Sequence, residues 1–209
     1  MKKLLIVSAG GFGREVLDWA LTVPVSERDW EVRGFLDDRP GILDGKNCPF
    51  PIVGSVDTYD FADKDRVVCA IGDPRVRLRY CRQLKALGAR FISLIHPTAI
   101  IGSNCRIGEG CILSPRTVVT NNVTLGDFVI MNLASTVGHD AVIGSGCTLN
   151  CHADVTGWTV LGQGVFLGSH AVILPRATVG DYAVVGAGSV VLKNAKAGKT
   201  VFGVPALEM

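Results

Sequence analysis

A period of six runs through the second half of the chain. Stepping by six from Ile101 gives Ile107, Leu113, Val119, Leu125, Met131, Val137, Ile143, Leu149, Val155, Leu161, Leu167, Ile173, Val179, Val185 and Val191. All sixteen positions are apolar, and no insertion interrupts them. Four residues after each sits a small or β-branched side chain, from Cys105, Cys111 and Thr117 to Ser189 and Ala195. Gly follows the apolar residue directly in nine of the sixteen units, as at Gly102, Gly126, Gly144 and Gly180. Six residues suffice for one short strand and one sharp corner. The apolar residue is expected to fill a prism interior, the small residue to fit near a corner, and Gly to relieve strain where the chain turns. Stacked units bury a continuous core that no single unit could bury. Sandwich strands vary in length, so a register this long argues against a β-sandwich.

Residues 1–93 follow a different grammar. Leu4-Leu5-Ile6-Val7 is a β-branched run ending in Ser8-Ala9-Gly10-Gly11-Phe12-Gly13, and an amphipathic helix is expected from Arg14 to about Thr22. Val32–Leu36 and Val67–Ile71 read as further strands, and Val76–Leu87 as a charged helix closed by Gly88. This alternation predicts a small parallel sheet, hence a Rossmann-like α/β domain at 1–93 and an all-β parallel helix at 94–209.

Bulk properties narrow the function. The 21 basic and 19 acidic side chains nearly balance, which argues against a nucleic-acid or anionic-membrane partner. With 48% hydrophobic and 19% charged residues the chain has the composition of a folded protein. The run Leu4–Val7 is far too short for a signal peptide or a membrane span. Seven cysteines without paired CxxC spacing suggest free thiols and a cytoplasmic setting.

Three stretches carry a family resemblance: Ala9-Gly10-Gly11-Phe12-Gly13-Arg14-Glu15-Val16, Leu94-Ile95-His96-Pro97-Thr98-Ala99-Ile100, and Val201-Phe202-Gly203-Val204-Pro205-Ala206. With the repeats, they resemble the hexapeptide-repeat acyltransferases, and within them the sialic-acid O-acetyltransferases and nucleotide-amino-sugar N-acetyltransferases. The resemblance spans the chain. It implies a left-handed β-helix, a homotrimer with sites between neighbouring subunits, acetyl-CoA as co-substrate, no metal, and a small-molecule sugar acceptor, nucleotide-linked, held by the first domain. Outward apolar side chains such as Phe128, Trp158 and Phe166 also suggest an interface between copies.

His139 is the candidate general base. It lies two residues after Val137, so it should point out of the prism, and Asn132 with His139-Asp140 matches the family's Asn-x6-His-acidic pattern. An imidazole, with an ordinary pKa of about 6.5, can take a proton from a sugar amine or hydroxyl at neutral pH. The family often has Glu after the His, thought to raise its basicity; Asp140 is one methylene shorter. The positions matching family contacts to acetyl-CoA are Gly157, Ser169 and Ala187, and Lys193, Lys196 and Lys199 lie where CoA phosphates could be met. His152 and His170, eighteen residues apart, should stack one coil above the other. No carboxylate or Cys repeats at matching spacing to make them a metal site.

In the first domain, Ser8 replaces the first Gly of a dinucleotide-binding loop, while Gly11, Phe12 and Gly13 still let backbone N–H groups approach a phosphate at a helix start. Asp37, Asp38 and Gly72 follow strands, where α/β sheets bind ligands. About ninety residues do not supply a dehydrogenase's full doubly wound sheet. Some nucleotide-amino-sugar enzymes of the family carry His where this chain has Phe12. The expected activity is N-acetylation of a nucleotide-linked amino sugar. O-acetylation of a sialic acid needs the same base and stays open. A non-catalytic repeat scaffold is opposed by His139, Asp140 and Asn132, and a serine acetyltransferase-like enzyme by the N-terminal βα domain.

Overall fold

The computed structural model describes all residues, 1–209. The first part is a parallel four-stranded sheet of β1 (Lys2–Val7), β2 (Trp30–Leu36), β3 (Ile52–Gly54) and β4 (Asp65–Cys69), ordered β3-β2-β1-β4. Helix α1 (Gly11–Thr22) follows β1, and α2 (Pro74–Ala86) follows β4. β1 reads Leu4-Leu5-Ile6-Val7 without alternation because both sheet faces are covered. Leu4 and Ile6 pack with Val16, Leu17 and Ala20 of α1, and Leu5 and Val7 pack with Leu78, Cys81 and Leu84 of α2. The short β3 was not anticipated from the sequence, and α1 begins three residues before the expected Arg14.

From Leu94 the chain winds through short strands, β5 (Leu94–Ile95) to β24 (Leu207–Glu208). They stack into three sheets that form the faces of a prism. Face I runs from Leu94–Ile95 through Ile112–Leu113 and Ile130–Met131 to Thr200–Phe202, face II from Ile100–Ile101 to Val190–Val191, and face III from Arg106–Ile107 to Asn194–Ala195. Through most of the prism each strand pairs in parallel with the one eighteen residues on, as Thr136 with Asp154 and Val137 with Val155. The last turn is two residues shorter, pairing Thr178 with Asn194 and Val184 with Thr200, and Leu207–Glu208 closes it antiparallel. The expected inward positions are buried from Leu113 to Val191; Ile101, in the open first coil, is 37% exposed because nothing stacks beneath it. Each enclosed Leu, Ile or Val contributes about 1.5–3 kcal/mol.

The corners revise one expectation. The left-handed backbone falls three residues after the inward position, at Asn104, Asn122, Asp140, Gly146, Trp158, Arg176 and their equivalents. The Gly that directly follows the inward residue serves close approach between coils instead. A Cβ on Gly168 would lie 2.5 Å from the backbone nitrogen of Ala187, and one on Gly138 would lie 2.6 Å from that of Gly157.

The two parts share a core. Ile112 and Ile130, outward on face I, are buried among side chains of the α/β layer. Phe128, expected to be exposed at an interface between copies, is instead 5% exposed and packs edge-on against Phe91, with ring centroids 4.9 Å apart. The period separates inward from outward positions; it carries no information on which outward residues the α/β layer covers. Arg77 of α2 rivets the junction. Its fully buried guanidinium donates to the carbonyls of Phe128, Gly146 and Cys147 on the prism, to those of Ile71 and Gly72, and to Thr148 Oγ1. No carboxylate pairs with it, and burial lowers its pKa. No helix is long and apolar enough to cross a membrane.

Candidate active site

His139 and Asp140 form the corner between faces II and III, immediately after Thr136–Val137. The inward Val137 anchors the strand, and the corner then throws both side chains outward. His139 Nδ1 lies 2.8 Å from Asp140 Oδ2. A carboxylate only accepts, so Nδ1 carries the proton and Nε2 holds the free lone pair. The methylene lost relative to Glu does not prevent contact, because Asp140 adopts a left-handed backbone (φ 58°) that turns its carboxylate back to the preceding ring. The other oxygen, Oδ1, accepts from Asn122 Nδ2 at 3.3 Å, and Asn122 Oδ1 accepts from Asn104 Nδ2 at 3.2 Å. A three-rung ladder of polar side chains thus ends on the His–Asp pair.

Gly157 lies one coil above His139. A Cβ there would sit 2.7 Å from Nε2 and 2.8 Å from Cε1, so the imidazole occupies the space that any side chain would fill. The Gly157 N–H bonds to no other group of the chain. Trp158, 51% exposed, meets the imidazole edge-on, with centroids 6.1 Å apart, and the Arg176 guanidinium lies 5.5 Å from the Trp158 ring centroid. The sequence singled out neither Asn122 nor Arg176, and took Trp158 only as an interface residue. Their shared signal was spacing: Asn122, Asp140, Trp158 and Arg176 recur every eighteen residues.

Asn132, Ser169 and Ala187 lie on the corner between faces I and II, across face II from His139. Asn132 donates to Asn150 Oδ1 at 3.1 Å. His152 and His170 stack there, with centroids 4.8 Å apart and planes 8° from parallel. No group of three or more His, Cys, Asp or Glu side chains assembles anywhere in the chain. Of the three lysines, Lys199 pairs with Glu208 at 2.6 Å and Lys196 reaches the same carboxylate at 3.9 Å.

The α/β layer holds a cavity of about 270 Å³ at the C-terminal ends of its strands, lined by Ser8, Asp37, Asp38, Ile71, Val76 and Tyr80 among others. Ser8, where the fingerprint has Gly, takes a left-handed backbone anyway (φ 78°). Gly13 permits the tight strand-to-helix turn, since a Cβ on it would lie 1.8 Å from the Ser8 carbonyl oxygen. The first residues of α1, Gly11 to Gly13, leave N–H groups without intrahelical partners. Phe12 turns aside to pack edge-on against Trp19.

Asp37 is more enclosed than its sequence position suggests. It accepts from the Ala9 N–H at 2.7 Å and from the Arg39 side chain and N–H. Burial alone would raise its pKa, but these bonds outweigh that and hold the carboxyl below the ordinary carboxylate range. Asp38 Oδ1 accepts from the Ser55 hydroxyl and the Val56 N–H, leaving Oδ2 free. The Gly72 carbonyl faces Arg77 and Thr148, away from the cavity.

Residues 3–84 match the PglD N-terminal domain family, and residues 159–193 match the bacterial transferase hexapeptide family (six repeats). The chain is 30% identical to the acetyltransferase domain of PglB from Neisseria gonorrhoeae FA1090, with all of both chains covered and a TM-score of 0.90. PerB from Caulobacter crescentus, solved in complex with CoA and GDP-perosamine, is 27% identical over 100% of this chain and 98% of its own, with a TM-score of 0.89. WeeI from Acinetobacter baumannii AYE is 29% identical over the whole of both chains, with a TM-score of 0.85. A sequence comparison with curated proteins gives no match. A PglD-type α/β layer fused to hexapeptide coils, and end-to-end similarity to such an enzyme domain, make this chain a member of the bacterial hexapeptide-repeat acetyltransferases.

Proposed function

We propose that the chain transfers the acetyl group of acetyl-CoA to the amino group of a nucleotide-linked amino sugar, with His139 as general base. The observation that carries this is the pairing of His139 Nδ1 with Asp140, which leaves Nε2 outward and unblocked over Gly157. As the sugar amine attacks the thioester carbonyl carbon, Nε2 takes a proton from the nitrogen, and Asp140 steadies the resulting imidazolium. The Gly157 N–H, unpaired within the chain, would meet the developing oxyanion. Collapse breaks the C–S bond, and the proton on Nε2 passes to the departing thiolate. The acceptor nucleotide is assigned to the cavity with Ser8, Asp37 and Asp38 at the C-terminal ends of the strands, and the similar PerB is solved with GDP-perosamine. Acetyl-CoA as co-substrate accords with the CoA seen in the PerB complex, and cytoplasmic action fits its supply.

A second copy completes this site. The α/β layer rests on face I and on the corner between faces III and I, where Phe128, Gly146 and Cys147 lie. His139 projects from the corner opposite face I. A sugar held in the layer's cavity therefore meets the His139 of a neighbouring chain more readily than its own. Three copies closing head-to-tail, corner II–III of one against corner I–II of the next, also join His139 and Gly157 to Ser169 and Ala187. The test is CoA thiol release from acetyl-CoA across a panel of nucleotide amino sugars and free sialic acids. Turnover confined to the amino sugars, and lowered about 10²–10⁴-fold in His139→Ala, is the expected result. Turnover on sialic acid alone moves the activity to O-acetylation.

A further inference from the structure

We propose that Asn122 and Trp158 are positioning residues for His139, Asn122 acting through Asp140 and Trp158 by direct contact. This rests on His139 being the base. The His139 side chain is 53% exposed on a single chain, so no pocket of its own chain sets its rotamer. Three groups do so instead. Gly157, one coil above, is the wall the ring rests against, and a Cβ there would strike the ring. Asp140 holds Nδ1, and Trp158 closes the upper edge at 89°.

Asp140 can do this only if its own carboxylate is fixed. One oxygen faces Nδ1, and the only side-chain donor on the other is Asn122 Nδ2, one coil below. Without that amide the carboxylate is free to rotate towards water, and the imidazole can flip or exchange tautomers. Trp158 is held in turn by Arg176, which caps its ring from the coil above and makes no ion pair of its own. Trp158 and Arg176 both take left-handed backbone, at φ 61° and 66°, which bulky residues rarely adopt. The column Asn104–Asn122–Asp140–Trp158–Arg176 thus brackets the base from both sides along the prism axis.

A double-mutant cycle in the full-length protein tests this. Asn122→Leu and Trp158→Ala should each lower kcat about tenfold, with both KM values within about twofold of the parent and melting temperature unchanged. Trp158→Phe, which keeps an aromatic edge, should restore most of the rate. In a His139→Ala background neither substitution should slow the residual reaction further, because the group they position is gone. Losses that persist in that background, or that appear in KM alone, overturn the inference while leaving His139 as base. A near-normal rate for His139→Ala by itself overturns the base and this inference together. In the parent, a nitrogen NMR spectrum should show His139 as the Nδ1–H tautomer; loss of that single tautomer in Asn122→Leu is the expected signature, and its retention counts against the role of Asn122.

Discussion

Gly157 has no side chain, and the imidazole of His139 occupies the volume that one would fill. Gly157→Ala must move either the ring or the coil. Displacing a reacting group by about 1 Å costs on the order of 10²-fold in rate, so kcat should fall by about that much while the melting temperature stays within a few degrees. An unaltered kcat would show that the ring is not held where it reacts. Asp37 answers to a different measurement. Its carboxyl is depressed by the bonds from Arg39 and Ala9, so the stability it supplies is fully present above the ordinary value of about 3.9 and is lost as pH falls through its lower folded value. Asp37→Asn should therefore cost about 1–3 kcal/mol at pH 7, with the gap to the parent narrowing only below about pH 4. Thermal melts across a pH series measure this, and a gap that does not change with pH would remove the ionised carboxylate from the account.

Arg77 makes α2 more than a cover for the sheet. Its guanidinium joins the loop after β4 to three carbonyls of the prism, and removing it leaves those buried acceptors unpaired. Arg77→Met should cost about 3–5 kcal/mol in urea unfolding. A loss under 1 kcal/mol would mean that water replaces the guanidinium without penalty. None of this was legible in the sequence, where Arg77 reads as one of several charges on a solvated helix face. The prism was legible because its rule is local: in every six residues one large apolar side chain and one small one four later fill the interior. The outward placement of His139 and Asp140 was legible for the same reason, since the period fixes which residues leave the prism at a corner. The fate of outward residues is set by distant packing. Phe128 and Trp158 look alike in the pattern, yet one lies under the α/β layer and the other beside His139. Strand β3 was missed because three residues ending in Gly54 carry too little alternation to register. The loops at the strand ends were half legible: the glycines marked the turn after β1, but the enclosure of Asp37 by Arg39 depends on a guanidinium two residues away folding back.

At the scale of the whole molecule, Trp158, on the corner between faces II and III, remains half exposed on a single chain. The proposed trimer covers apolar surface of this kind. Light scattering should give a mass about three times the 22.2 kDa of one chain at micromolar concentration. A mass of one chain would remove the shared site. The opposition between face I, which carries the α/β layer, and the corner that carries His139 also has a genetic consequence. Two defective alleles, His139→Ala and Asp38→Ala, should complement when co-expressed. A mixed trimer contains junctions where an intact base meets an intact cavity from the neighbouring chain, about a quarter of all junctions under random assembly at equal dose. Each allele alone would be nearly silent at limiting acceptor, and the heterozygote would regain a measurable share of parental activity. If base and cavity served the same chain, no mixture of the two alleles could recover any.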